Sequence, residues 1–89
     1  MYMGMVVGSV VATRKIDDLV GHKLLIVQKV KPDGEKLDSL EVAVDSVGAG
    51  TGEYVLVVKG EPAKYVFGTS GKPIDSVIVG IIDSMEYSG

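Results

Sequence analysis

Three segments of the chain are apolar on both faces, and this feature limits the folds that the chain can adopt. Residues 23–30, 54–58 and 77–82 are rich in Val, Ile and Leu and do not alternate regularly with polar residues. A chain of 89 residues has room for one barrel interior, and it shows almost no helical pattern that would cover the outside. The outer face must therefore be covered by other subunits, which predicts an oligomer.

The small size of the chain favours the same conclusion. Size scaling predicts that folding of one subunit removes only roughly 63% of its surface from water, a thin margin for a stable monomer. The chain has no cysteine and no evident metal-binding cluster, so neither disulfide bonds nor structural zinc would add stability. We expect a single domain over residues 1–89 that is stabilised by association.

The residue composition indicates an all-β fold. The chain contains 16 Val and 6 Ile residues against 6 Leu and 4 Ala residues, and β-branched side chains favour strands over helices. Its 12 glycines supply the turns and bulges that a small closed sheet needs. We predict a five-stranded OB-like barrel with one or two short helical turns. The predicted strands are 3–13, 23–30, 40–47, 54–58 and 76–84, and the predicted helical turns lie within 15–21 and 60–67.

Alternation assigns the side chains of two predicted strands to faces. In the first strand one face is predicted to carry Val6, Val10 and Ala12, and the other face Met5, Val7 and Val11. The third strand is predicted to have one wet, polar face formed by Glu41, Ala43 and Asp45, opposite Leu40, Val42 and Val44. A Pro-Asp-Gly turn at 32–34 and the charged stretch that follows it predict an exposed hairpin tip.

Two glycine-rich segments resemble nucleotide-binding loops but lack essential residues. Residues 48–53 read GAGTGE, and Glu53 stands where the Gly-x-Gly-x-x-Gly pattern requires its third glycine. Residues 68–72 lack the spacer of a phosphate loop, and Pro73 occupies the position of its magnesium-binding Ser or Thr. The 48–53 segment is therefore a connection between strands, whose glycines allow either a plain turn or close approach to other subunits.

Residues suited to catalysis or metal binding form no recognisable set. His22 is the only histidine and there is no cysteine, so a metal site or a nucleophilic triad would have to rely on carboxylates. Asp45, Glu53, Asp75 and Asp83 show no spacing that singles out a catalytic pair. We expect no enzymatic activity, no cofactor and no metal.

The charge balance argues against nucleic acid as a partner. The formal net charge is −3, whereas proteins that bind single strands use a basic groove with stacking aromatic residues. An OB-type module that binds a small molecule or single-stranded nucleic acid stays open as the alternative. The apolar start at 1–12 follows no basic residue, and the apolar runs are far shorter than the ~18 residues of a membrane helix. We expect a cytoplasmic protein without membrane contact.

Four ordered blocks of the sequence resemble the EutN/CcmL/PduN family, the pentameric vertex proteins of bacterial microcompartment shells. The blocks are MVVGSVVATRK at 5–15, LVGHKLLIVQ at 19–28, DSVGAGTGEYVLV at 45–57 and PIDSVIVGIID at 73–83. The third block is similar to the glycine-rich hallmark of the family and the fourth to its closing strand. The chain departs from the family pattern at Glu61, Pro62, Ala63 and Lys64, where the family carries small residues and an arginine.

The resemblance implies an OB-like barrel that assembles into a homo-pentamer, caps the vertices of a microcompartment shell and catalyses no reaction. It also implies contact with hexameric shell proteins, and the enclosed enzymes are a further class of partner. In such a ring we expect a narrow central opening lined by Gly48, Ala49, Gly50, Thr51, Gly52 and Glu53. The candidate subunit-interface residues are Met5, Val7, Val11, Arg14 and Asp83.

Overall fold

The computed structural model describes residues 1–15, 17–19, 21–60, 62–63 and 74–88. Its five strands are β1 (Tyr2–Val10), β2 (Leu24–Val30), β3 (Lys36–Asp45), β4 (Tyr54–Lys59) and β5 (Ser76–Ile81). One turn of 3-10 helix, Asp17–Leu19, lies between β1 and β2. Within the described ranges no helix is long and apolar enough to cross a membrane.

The strands close into a barrel in the order β1-β2-β3-β5-β4, with β4 returning to β1. All neighbouring strands are antiparallel except β3 and β5, which are parallel and pair through Val44 with Val77 and Asp45 with Ile78. The arrangement confirms the predicted five-stranded OB-like barrel. Closure removes the exposed sheet edges that would otherwise pair with other chains.

The barrel interior is filled mainly by β-branched side chains, as the Val-rich composition predicts. The interior cluster consists of Val6, Leu25, Val27, Ala43, Ala49, Val55, Val57 and Ile78. A second cluster contains Val44, Ala63, Ile74 and Val77. Its strand residues alternate with those of the interior and therefore lie on the outer side of the wall, where the chain covers them itself.

Several predicted boundaries are wrong, because pairing rather than apolar character decides where a strand ends. β1 ends at Val10 instead of residue 13, and β5 ends at Ile81 instead of residue 84. β3 spans Lys36–Asp45 instead of 40–47. Its charged beginning pairs with β2, since Lys36 lies opposite Val30. Of the predicted 60–67 helical turn, residues 61 and 64–67 lie outside the described residues.

A bulge at Val7 overturns the predicted faces of β1. Val6 pairs with Val27, and Gly8 rather than Val7 pairs with the preceding residue of β2, Ile26. The extra residue shifts the alternation by one, so that Val10 pairs with Leu24 on the outer face while Val6 points into the core. Val6 and Val10 therefore do not share a face.

Candidate functional site

The 48–53 loop connects β3 to β4 and is held by the carboxylate of Asp45. This side chain accepts hydrogen bonds from the backbone N–H of Val47 at 3.1 Å and from that of Ala49 at 3.1 and 3.2 Å. Ala49 is fully buried in the interior cluster and anchors the loop to the barrel. The amino group of Lys23 donates to the carbonyl oxygen of Ala49 at 2.6 Å. The start of the loop is thus fixed by its own subunit.

The end of the loop is held by Glu53 and by β1. One carboxylate oxygen of Glu53 accepts a hydrogen bond from the backbone N–H of Gly50 at 2.7 Å. The N–H of Gly52 donates to the carbonyl of Val6 at 2.8 Å, and the N–H of Val6 donates to the carbonyl of Glu53 at 3.0 Å. Gly48 and Gly52 have φ of 77° and 91°, a conformation that favours glycine. Thr51 lies at the exposed tip of the loop.

Strand β3 has its faces inverted relative to the predicted pattern. Ala43 is buried in the interior cluster, and Glu41 lies opposite Val27 and so faces the same side. The apolar residues Leu40 and Val42 are on the outer face, where 59% and 52% of their surface is exposed. The prediction of an outer polar face is wrong, because the alternation marks two faces without saying which one points into the barrel.

The outer wall of the barrel carries two separate apolar surfaces. The β2/β3 strip is formed by Leu24, Ile26, Leu40 and Val42, since Leu40 and Val42 pair with Gln28 and Ile26 across the two strands. The β1/β4 strip is formed by Met3, Met5 and Leu56, with Met3 directly opposite Leu56. Neither strip is fully covered by the described residues. Exposed apolar patches of this kind mark surfaces of association.

The predicted interface residues fall in two regions. Met5 lies in the β1/β4 strip, and Val7 is next to it at the bulge. Asp83 lines a groove beside Tyr54, the residue that pairs with Met5. Val11, with 89% of its surface exposed, and Arg14 follow the far end of β1. The subunit therefore does not bring all of these residues together.

A polar cluster at one end of the barrel was missed by sequence analysis. Glu41 accepts a hydrogen bond from the hydroxyl of Ser76 at 2.8 Å and forms an ion pair with Lys59 at 2.9 Å. The amino group of Lys29 lies 5.3 Å from the ring centroid of Tyr2. The hydroxyl of Tyr2 is buried and lies near the carboxylate of Glu41.

The cluster shifts the pKa of its members. Burial, followed by the neighbouring charge of Glu41, raises the pKa of Tyr2 above its ordinary range. Burial alone would raise the pKa of Glu41, but hydrogen bonds from Lys59 and Ser76 outweigh it and lower the pKa. The same contact with Glu41 raises the pKa of Lys59. Glu41 is therefore ionised in the folded protein at neutral pH and ties β3 to β4 and β5.

These contacts predict a pH dependence of stability. Glu41 stabilises the folded state above its ordinary pKa of 4.5, and this stabilisation is lost as the pH falls through the lowered pKa. We expect Glu41→Gln to lower the melting temperature at neutral pH and to flatten its fall below about pH 5, measured calorimetrically at fixed protein concentration. Glu35→Gln is the control, because its ion pair with Lys31 is exposed. An unchanged slope in Glu41→Gln would contradict the assignment.

The part of the chain that the structure describes contains no group of three or more His, Cys, Asp or Glu side chains placed to hold a metal ion. The carboxylates of Asp45 and Glu53 are used to hold the loop. Glu41 is engaged by Lys59 and Ser76. The geometry thus favours a site of assembly, formed by the loop and the two apolar strips.

Comparisons with known proteins agree with this class of site. The family described as ethanolamine utilisation protein EutN/carboxysome matches residues 1–83. The shell vertex protein PduN of Salmonella typhimurium is 47% identical, covering 96% of this chain and 98% of PduN. The carboxysome shell vertex protein CcmL of Thermosynechococcus vestitus is 45% identical, covering 96% of this chain and 86% of CcmL. The solved structure of GrpN, a pentameric microcompartment shell protein from Rhodospirillum rubrum, has a TM-score of 0.91 at 42% identity, over 99% of this chain and 100% of GrpN.

The barrel fold is therefore shared with a solved pentameric shell protein, GrpN. The chain belongs to the EutN/CcmL family, which confirms the predicted resemblance. The relatives are named as shell vertex proteins of a bacterial microcompartment and of a carboxysome. The alternative of an OB-type binding module finds no support among them.

Proposed function

We propose that this chain forms a homo-pentameric ring that caps the vertices of a bacterial microcompartment shell. The observation that carries the proposal is the inverted strand β3, which turns Leu40 and Val42 outwards and Glu41 inwards. Such a strand is unfavourable in an isolated barrel, because it exposes apolar surface to water. It becomes favourable when another subunit covers the outer face. The pentameric GrpN structure supports a ring of five.

A cyclic ring explains why the barrel has two apolar strips. In a head-to-tail ring each subunit contacts its two neighbours through different surfaces. The β2/β3 strip of one subunit would cover the β1/β4 strip of the next, which assigns Met5 and Val7 to the interface. Every subunit then has both strips covered, and the ring closes without leaving an unpaired apolar surface.

The 48–53 loop is the candidate for the central opening of this ring. Gly48, Gly50 and Gly52 have no side chain beyond the α-carbon, so five backbones can approach the axis closely. The hydrogen bonds to Asp45 and Glu53 order the loop within each subunit before assembly. Thr51 at the tip is then the side chain that comes nearest to its copies.

This placement predicts cross-linking between subunits. The chain has no cysteine, so Thr51→Cys introduces a single thiol. We expect mild oxidation to link subunits in pairs, because a disulfide forms only where α-carbons approach within about 7 Å. Denaturing electrophoresis without reductant measures the product. Ser39→Cys on β3 is the control and should give none, whereas equal yields would contradict the placement of the loop.

The proposed role is geometric. Flat arrays of hexameric shell proteins need five-fold units to introduce curvature, and a pentamer provides one at each corner. We infer that the ring docks through its rim to hexameric shell proteins, with the enclosed enzymes as a further class of partner on its inner side. The ring itself contributes no catalysis, no cofactor and no metal.

Deletion of the chain in a cell that makes the microcompartment tests this role. We expect the cargo enzymes to remain active while closed polyhedra give way to elongated tubes or leaky bodies, because hexamer contacts continue without corners. Electron microscopy with complementation by the native chain measures the effect. Normal closed polyhedra in a strain without a paralogue would show that the chain is not the vertex cap.

A further inference from the structure

A groove of about 450 Å³ lies between the tip of the β2–β3 hairpin and the segment after β5. The segment is tied to β4, since the N–H of Ile82 donates to the carbonyl of Tyr54 at 2.8 Å. The residues that form its walls include Pro32, Asp33, Tyr54, Ile82, Asp83 and Tyr87. The groove adjoins the β1/β4 strip, because Tyr54 pairs with Met5.

The groove is suited to a cation with a flat or extended side chain. Its described lining contains two carboxylates, Asp33 and Asp83, and no basic residue. Neither carboxylate forms an ion pair with the described residues, although Asp33 accepts the backbone N–H of Glu35 at 2.8 Å. The rings of Tyr54 and Tyr87 add aromatic surface that attracts cations. A guanidinium group fits this combination of carboxylate and ring.

Arg14 of a second copy of this chain has the required chemistry. It is exposed and forms no ion pair or hydrogen bond with the described residues. Nearby cations are engaged within the subunit: Lys15 donates to the carbonyl of His22 at 3.4 Å, and Lys23 donates to that of Ala49. Arg14 follows the end of β1 where Val10 pairs with Leu24 of the β2/β3 strip.

We propose that Arg14 of each subunit enters the groove of the next subunit in the ring and pairs there with Asp83, with Asp33 as the second carboxylate. This inference rests on the proposed ring and adds a polar contact between neighbouring subunits. Apolar strips attract each other without fixing a direction, whereas one ion pair at the end of the strips selects the order and rotation of the subunits. The groove is therefore complete only when a neighbour supplies the guanidinium.

Charge exchange in the 89-residue chain tests the pair. We expect Arg14→Glu and Asp83→Arg each to raise the dissociation constant of the ring at least ~10-fold, measured by native mass spectrometry and sedimentation over a concentration series. The double exchange, Arg14→Glu with Asp83→Arg, should recover most of the native affinity. Glu35→Arg makes the same charge change on the hairpin outside the groove lining, so it should leave the dissociation constant near its native value and should not restore the affinity of Arg14→Glu.

The outcomes separate this pair from the proposed ring. A native pentamer in which both single variants assemble normally, or in which the double exchange recovers nothing, overturns the pair and leaves the ring standing. A native chain that is monomeric at micromolar concentration overturns the ring and the pair with it. Circular dichroism of each variant shows that a lost ring does not reflect an unfolded barrel.

Discussion

Replacement of Leu40 and Val42 together by Asp should dissociate the ring. Both side chains lie on the outer face of β3 and are more than half exposed in the subunit, so the change leaves the barrel interior untouched. In the proposed interface, however, it buries two unpaired carboxylates against the neighbour. We expect the dissociation constant of the ring to rise at least ~100-fold, since an unpaired buried charge costs several kcal/mol. Sedimentation over a concentration series measures the change.

The control for this variant is Ser39→Asp, which adds a charge at an exposed position of the same strand outside the β2/β3 strip. We expect it to remain a ring. Because the isolated subunit is marginally stable, circular dichroism of the dissociated variant is best recorded in a stabilising osmolyte. A pentamer of native affinity in Leu40→Asp/Val42→Asp would exclude β3 from the interface.

The strands were predictable because their signal is local. Runs of β-branched residues at 24–30 and 54–58 predict strands wherever they fall in a fold, and turns rich in glycine separate them. The predicted barrel followed from the number of strands and the lack of helices. The family resemblance alone predicts a ring of five subunits, because no property of a single strand determines the number of subunits.

The register of the strands and the direction in which their side chains point were not predictable, because both depend on pairing partners that are distant in sequence. One extra residue at Val7 turns the rest of β1 over, and the neighbouring Gly8 indicates a bend without showing that the strand gains a residue there. The faces of β3 were not predictable either, because alternation marks two faces without showing which one points into the barrel. The cluster around Glu41 combines residues 2, 41, 59 and 76 from four strands, so only the folded barrel brings them together.

The two glycines of β1 differ in a way that the sequence does not show. Gly4 and Gly8 look alike in sequence, yet a β-carbon at Gly4 would overlap Cγ1 of Val27 and lie 2.9 Å from the carbonyl oxygen of Gln28. At Gly8 the nearest atom, Cδ1 of Ile26, would be at 3.5 Å, an ordinary contact. We expect Gly4→Ala to cost about 1–3 kcal/mol of stability and to unfold much of the marginal subunit at ambient temperature.

Chemical denaturation at fixed protein concentration measures this cost, with Gly8→Ala as the matched control on the same strand. Gly8→Ala should change the free energy of unfolding by less than ~0.5 kcal/mol. Adding Val27→Ala to Gly4→Ala removes one of the two overlapping groups, so the pair should be less destabilised than the sum of the single changes. The rescue is expected to be partial, because the carbonyl of Gln28 belongs to the backbone of β2 and cannot be removed. Purely additive effects would show that Gly4 is required for a reason other than its close approach to β2.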